Sequence, residues 1–198
     1  MRLYNNKGKV FPEYIKIGCE VFAVNADFRN IMRIIAMMKD ESLSAVKRIF
    51  KLREYFMIEP ARAEALPSDS IIQAFCQFIN SEKDGNQGQN GEYSENSETH
   101  GERQFCYDFD AEEIYASFLS EYALDLFDCR FLHWYKFKIM LENLSESSAF
   151  KKKIALRFLD LSAISREIPG FHRILQAKES VQLPYEQTEF EKFWDRVK

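Results

Sequence analysis

Asp108, Asp110, Glu112 and Glu113 stand close together in the chain, dense enough to suggest a carboxylate metal site. They fall just ahead of an apolar run of helical period, where acids cap a helix and complement its dipole. Capping is therefore their expected role. His133 beside Trp134 and Tyr135 offers an imidazole among aromatics, with Cys129 about one helical turn away. No acid is spaced to orient that imidazole, and a His on an apolar helix is expected to be a satisfied core or rim residue. Lys151, Lys152 and Lys153 form the most basic run. A nucleic-acid patch needs more cations with interleaved aromatics, so a solvated helix face is expected there. Cys19, Cys76, Cys106 and Cys129 form no C-x-x-C, and the three histidines, His100, His133 and His172, lie at no metal spacing; free thiols in a reducing compartment are expected. The chain also has no G-x-S-x-G, P-loop, G-x-G-x-x-G or H-E-x-x-H. No catalytic, cofactor-binding or metal-ligating residue is expected, and the chain does not read as an enzyme.

The remaining chemistry is apolar contact. The chain has 18 Phe, 9 Tyr and 2 Trp in 198 residues. Phe109, Tyr115, Phe118, Phe131, Trp134, Tyr135 and Phe137 crowd one region and are the candidate protein-interaction residues. Burial in a plain core is the competing expectation for each of them. Charge is segregated beside them. Residues 105–128 carry seven acids and no base, whereas 129–157 carry seven bases and two acids. An acidic helix lying against basic ones is the simplest outcome, and steering of a charged partner is the functional alternative.

These residues need elements to hold them. A chain 46% hydrophobic, with 7 Gly and 5 Pro, is neither disordered throughout nor turn-rich like a β-barrel. Four of the glycines lie in 81–104, a stretch without Ile, Leu, Val or Met that reads as a flexible polar linker. It divides the chain into an N-terminal unit, 1–80, and a C-terminal helical unit, 105–198. In the first, Ile15 to Val24 around Gly18 predicts a short hairpin, with Ile15, Ile17 and Val21 alternating with polar residues. Asp27 is then placed to cap a helix with Phe28, Ile31, Met32, Ile35 and Met38 on one stripe. A second helix carries Val46, Ile49, Phe50 and Phe56. Pro60 opens a short turn, and Ser68 or Asp69 caps a helix carrying Ile72, Phe75, Cys76 and Ile79.

In the second unit, Asp110 and Glu113 form a variant capping box before Ile114, Tyr115, Phe118, Leu119, Tyr122 and Leu126. A helix apolar nearly all round is expected over about 131–144. Ser145 to Ser148 cap another with Phe150, Ile154, Phe158 and Leu161 on one stripe. Helices follow Pro169-Gly170 (Phe171, Ile174, Leu175) and Pro184 (Phe190, Phe193, Trp194). The fold class is mainly α: helical bundle-like units with a small N-terminal β-hairpin. The formal net charge of −4 argues against wholesale phosphate binding. No apolar run reaches the roughly 18 residues of a membrane span, and a soluble, cytosolic protein is expected.

Several stretches together resemble a known family. Tyr107-Asp-Phe109-Asp-Ala111-Glu-Glu-Ile114 through Leu126, then Leu132-His-Trp-Tyr-Lys-Phe-Lys138 and Leu144-Ser-Glu, are similar to the phage "gene product fifteen" family. Asn25-Ala-Asp-Phe-Arg29, Arg157 with Asp160-Leu161, and Leu183-Pro184 resemble further elements of it in the right order. The family usually has Gly where Ala123 stands and a second Trp where Tyr135 stands. The resemblance implies a protein of tailed phages and prophages, encoded next to the tape measure gene. It implies a tail-assembly chaperone that binds the tape measure protein, with tail tube subunits as a second partner, and self-association is a further expectation. No nucleic acid, membrane, small-molecule substrate or cofactor is implied. The expected location is the bacterial host cytoplasm, with absence from the mature virion. The alternative function is a minor tail or connector component retained in the virion.

Overall fold

The computed structural model describes residues 11–80, 104–163 and 169–183. All but the last residue of the expected linker, and the expected last helix with Phe190, Phe193 and Trp194, lie outside the described residues. In chain order the elements are β1 (Tyr14–Ile17), β2 (Glu20–Ala23), α1 (Phe28–Lys39), α2 (Ala45–Phe56), a 3₁₀ turn (Pro60–Ala63), α3 (Ser68–Asn80), α4 (Ala111–Tyr122), α5 (Trp134–Glu142), α6 (Ala149–Arg157), a second 3₁₀ turn (Leu161–Ala163) and α7 (Phe171–Ser180). The chain is mainly helical with one N-terminal hairpin, as the periodicity predicts.

The described residues group into two units that do not follow chain order. The first is 11–80 together with 131–139, and the second is 104–130, 140–163 and 169–183. The linear division at the linker is thus corrected: Phe131–Ile139 belong with the first unit. The reason is backbone pairing. Asp27 and His133 form an antiparallel bridge. Phe28 N–H donates to Leu132 O at 2.9 Å and Trp134 N–H to Ala26 O at 2.7 Å. The extended backbone this requires at 131–133 also delays α5, which starts at Trp134 and not at Phe131.

In the first unit, β1 and β2 pair antiparallel with Tyr14 opposite Ala23 and Ile15 opposite Phe22. Gly18, at φ +60°, makes the tight loop possible. Phe22 and Ile17 face inward while Val21 is 53% exposed. Beyond β2, Val24 bridges Met57, with Asn25 N–H donating to Phe56 O and Ile58 N–H to Ala23 O. Asp27 caps α1 as expected, its carboxylate accepting from Arg29 N–H at 3.0 Å. The buried stripe of α1 is Phe28, Ile31, Ile34 and Met38, with Met32 and Ile35 half-buried at its edge.

On α2 the buried residues are Leu52 and Phe56, whereas Val46 and Phe50 are exposed. The expected stripe is therefore rotated. Positions 49, 52 and 56 satisfy helical spacing as well as 46, 49 and 50 do, and only packing chooses between them. In the core, Phe56 meets Phe75 and Phe78 edge-on, at 5.0 and 5.4 Å between centroids. Phe28 stacks on Phe137 at 4.7 Å.

In the second unit, α4 packs on α6. The fully buried Ser117 hydroxyl donates to Glu113 O and accepts from Phe150 N–H at 3.1 Å, tying α4 to the start of α6. Ser148 caps α6 by accepting from Lys151 N–H. Phe150 is buried beneath Phe105, but Phe158 is 43% exposed. Tyr122 O–H donates to Met140 O at 2.8 Å. α4 stops at Ala123, whose backbone is left-handed at φ 48°, ψ 34°. α7 buries no residue fully, and Phe171, Ile174 and Leu175 lie half-buried on it.

Candidate partner-binding surfaces

The acidic run resolves into a buried ion cluster. Asp110 is fully buried and its side chain makes no capping bond. Its carboxylate instead receives Arg157 Nη2 at 2.8 Å, Arg157 Nη1 at 3.2 Å, Lys153 Nζ at 3.1 Å and Cys106 N–H at 2.9 Å. The capping role expected for Asp110 is thereby corrected. Burial alone would raise its pKa, but the bonds from Arg157, Cys106 and Lys153 hold it below the ordinary carboxylate range. Lys153 also pairs with Glu113 at 2.8 Å, donates to Phe109 O, and sits 4.5 Å from the Phe109 ring centroid. Of the three consecutive lysines only Lys152 is exposed; Lys153 is a structural cation. Arg157 further donates to the carbonyls of Gln104 and Val181, so one guanidinium ties two stretches of backbone to the Asp110 carboxylate. The segregated charges thus meet within the second unit, α4 against α6.

His133 is buried in the first unit. Its Nε2 lies 3.0 Å from Pro12 O, and Nδ1 accepts from Tyr135 N–H at 3.1 Å. With Nδ1 accepting, the proton sits on Nε2 and the ring is neutral. Burial pushes its pKa down, opposed by the Pro12 contact and by Glu13. Phe11 stacks on the ring at 5.1 Å. His133 is a satisfied core residue, as the sequence reading favoured. Among the described residues no group of three or more His, Cys, Asp or Glu is placed to hold a metal ion. All four cysteines are free thiols, and burial raises the Cys76 thiol to about 11.

The seven aromatic candidates separate. Phe118, Trp134, Tyr135 and Phe137 are core. Trp134 Nε1 donates to Ile79 O and Tyr135 O–H to Phe78 O, so both polar handles are satisfied inside the first unit. Phe109 is half-buried beneath Lys153. Tyr115, also half-buried, donates to Asp125 Oδ2 at 3.2 Å and lies 5.0 Å from the Phe127 ring. Phe131 is 54% exposed.

Phe131 borders an open groove of about 490 Å³ in the first unit. Val24, Ala26 and Met57 supply buried apolar lining, while Tyr14, Ile58 and Phe131 stand exposed at its edge. Glu13 and Glu54 add acidic groups. The backbone pairings of Val24 with Met57 and of Asp27 with His133 hold this lining in place. Tyr14 and Ile58 escaped the sequence reading. Tyr14 opens the hairpin strand just ahead of Ile15, and Ile58 is placed by pairing with Ala23, a distant contact that leaves no periodic signal.

The chain matches a family model described as Bacteriophage Gp15 protein over residues 10–183. No curated protein and no solved structure matches it. No described helix is long and apolar enough to cross a membrane. The match takes in every stretch on which the resemblance rested apart from Pro184, and it spans most of the sequence: the chain belongs to the Bacteriophage Gp15 family of phage proteins.

Proposed function

We propose that the chain is a tail-assembly chaperone that binds the tape measure protein in the host cytoplasm until tail tube subunits displace it. The carrying observation is the first-unit groove, of mixed polar and apolar lining, with the buried Val24, Ala26 and Met57 beside the exposed Tyr14, Ile58 and Phe131. A groove of this kind takes the apolar face of an amphipathic helix, whose anchors recur at i, i+3, i+4 and i+7. The exposed Glu54 favours a helix with Lys or Arg flanking those anchors. Family membership supports the phage setting, and the tape measure neighbourhood implied by the resemblance names the partner. No catalytic step is part of this reading.

Co-expression with the tape measure protein of the same phage tests it. The expected result is a soluble complex that co-purifies. Ile58→Asp combined with Phe131→Asp is expected to weaken binding about tenfold or more, because it sets two carboxylates where the apolar face of the helix must dock. The melting temperature should stay within the small range of surface changes, since both residues are exposed. A tape measure protein that stays insoluble, or a chain recovered in stoichiometric amounts from purified virions, overturns the reading. The second outcome makes it a retained tail component.

A further inference from the structure

Two faces of the chain carry exposed apolar side chains outside the groove, and their charges are opposite. On α2, Val46 is 78% and Phe50 65% exposed. They lie four positions apart on one side of α2, flanked there by Lys47, Arg53 and Glu54, while Arg48 and Lys51 stand on other sides of the helix and bond Met38 O and the Tyr55 hydroxyl, so that α2 as a whole carries four bases and one acid. In the second unit, Phe127 is 77% and Leu119 46% exposed. Leu119 stands one turn after Tyr115 on α4, and the Tyr115 ring packs against Phe127. Asp125 is fixed between these aromatics, bonding Tyr115 O–H with one oxygen and the Phe127 and Asp128 N–H groups with the other. Asp128, whose N–H donates to Asp125, is exposed beside it. Glu112 is exposed on the same side of α4, and the first base in the sequence after this region is Arg130.

We propose that these faces recognise each other between copies of the chain: the basic, apolar α2 of one copy lies on the acidic Tyr115–Leu119–Phe127 patch of the next. Each face matches the other in both hydrophobicity and sign. Two copies of the same face would place like charges together, at a cost. The contact is heterologous, so a pair leaves one face of each kind open, and association continues unless the rotation closes a ring. Small faces of this kind give a weak, concentration-dependent contact.

The purified full chain tests this alone, without tape measure protein, so failure here is separate from failure of the chaperone reading. In sedimentation at about 0.05 M salt, the weight-average mass should climb with concentration above that of one chain. It should fall back at about 0.5 M salt, where the charge pairs are screened. Phe50→Asp breaks one face and Phe127→Lys the other, and each variant alone should associate about tenfold more weakly or worse. Mixed together, they should restore a 1:1 pair, because each keeps the face the other lacks, and that pair should not grow. If either variant melts early, the exposed charge reversals Lys47→Glu and Asp128→Lys replace them in the same design. A wild-type chain that stays monomeric at every concentration, or a mixture that does not pair, overturns the proposal.

Discussion

Ala123 is the described non-glycine residue with positive φ, and glycine should serve better there. The position has φ 48°, ψ 34° and closes α4. A Cβ in this region collides with the following carbonyl, at roughly 1–2 kcal/mol relative to Gly. The substitution also gives the unfolded chain more freedom, which offsets about 0.4–1 kcal/mol of that gain. Ala123 is exposed, so its methyl contributes little packing. The balance predicts that Ala123→Gly stabilises by roughly 0.5–1 kcal/mol, a rise of a few degrees in Tm for a unit of this size. Ala116→Gly is the internal control. It lies exposed in the interior of the same helix, where Gly costs about 0.8–1 kcal/mol. Thermal unfolding followed by circular dichroism should therefore move in opposite directions for the same chemical change. A neutral or destabilising Ala123→Gly refutes the left-handed terminus.

Removing one partner of the buried ion cluster should cost far more than any surface pair. Asp110→Asn is expected to lose about 3–5 kcal/mol by denaturant unfolding, because Arg157 keeps its burial without its counter-charge. The paired Asp110→Leu/Arg157→Met variant should lose less than the sum of the single changes. Trp134→Ala should destabilise by about 3–5 kcal/mol, since the ring is 2% exposed; a folded variant of unchanged Tm would make the ring a contact residue. Stability should fall in two stages on acidification. His133 is held neutral below the usual imidazole value, so below about pH 6.5 the unfolded chain binds the extra proton and stability drops with pH. Asp27 and Asp110, held below the ordinary carboxylate range, add stability that is lost below about pH 4. His133→Gln should remove the first stage and leave the second, and an unchanged Tm–pH profile refutes the assignment.

What the sequence makes legible is what local chemistry determines. Asp27 and Ser148 cap the helices they precede, Gly18 turns the hairpin, and α3 buries Phe75, Cys76 and Ile79 at the expected spacing; on α4 Ile114 and Phe118 do the same, whereas Leu119 is exposed and Leu126 lies beyond the end of the helix. What it hides depends on partners far along the chain. Asp110 reads as a cap until Arg157, 47 residues later, reaches its carboxylate. Phe131 reads as the start of a helix until residues 131–133 pair with the backbone near Asp27. Helical spacing on α2 allows two stripes, and only the burial of Leu52 decides against Val46 and Phe50. The groove residue Ile58 is invisible for the same reason, because its N–H pairs with Ala23 O far back along the chain. Of the aromatic set, composition located the region but could not separate Phe131 and Tyr115 from the core residues around them.

The return of residues 131–139 to the first unit sets an order on biosynthesis. A ribosome that has released only residues 1–80 has made β1 to α3, but not the Phe137 ring that stacks on Phe28 or the backbone that pairs at Asp27. The helix residues 111–122 emerge before that missing piece does. The first unit therefore completes its core only after part of the second has been synthesised. A nascent chain stalled in the linker, or a protein truncated there, carries an unfinished aromatic core that other apolar surfaces can reach first.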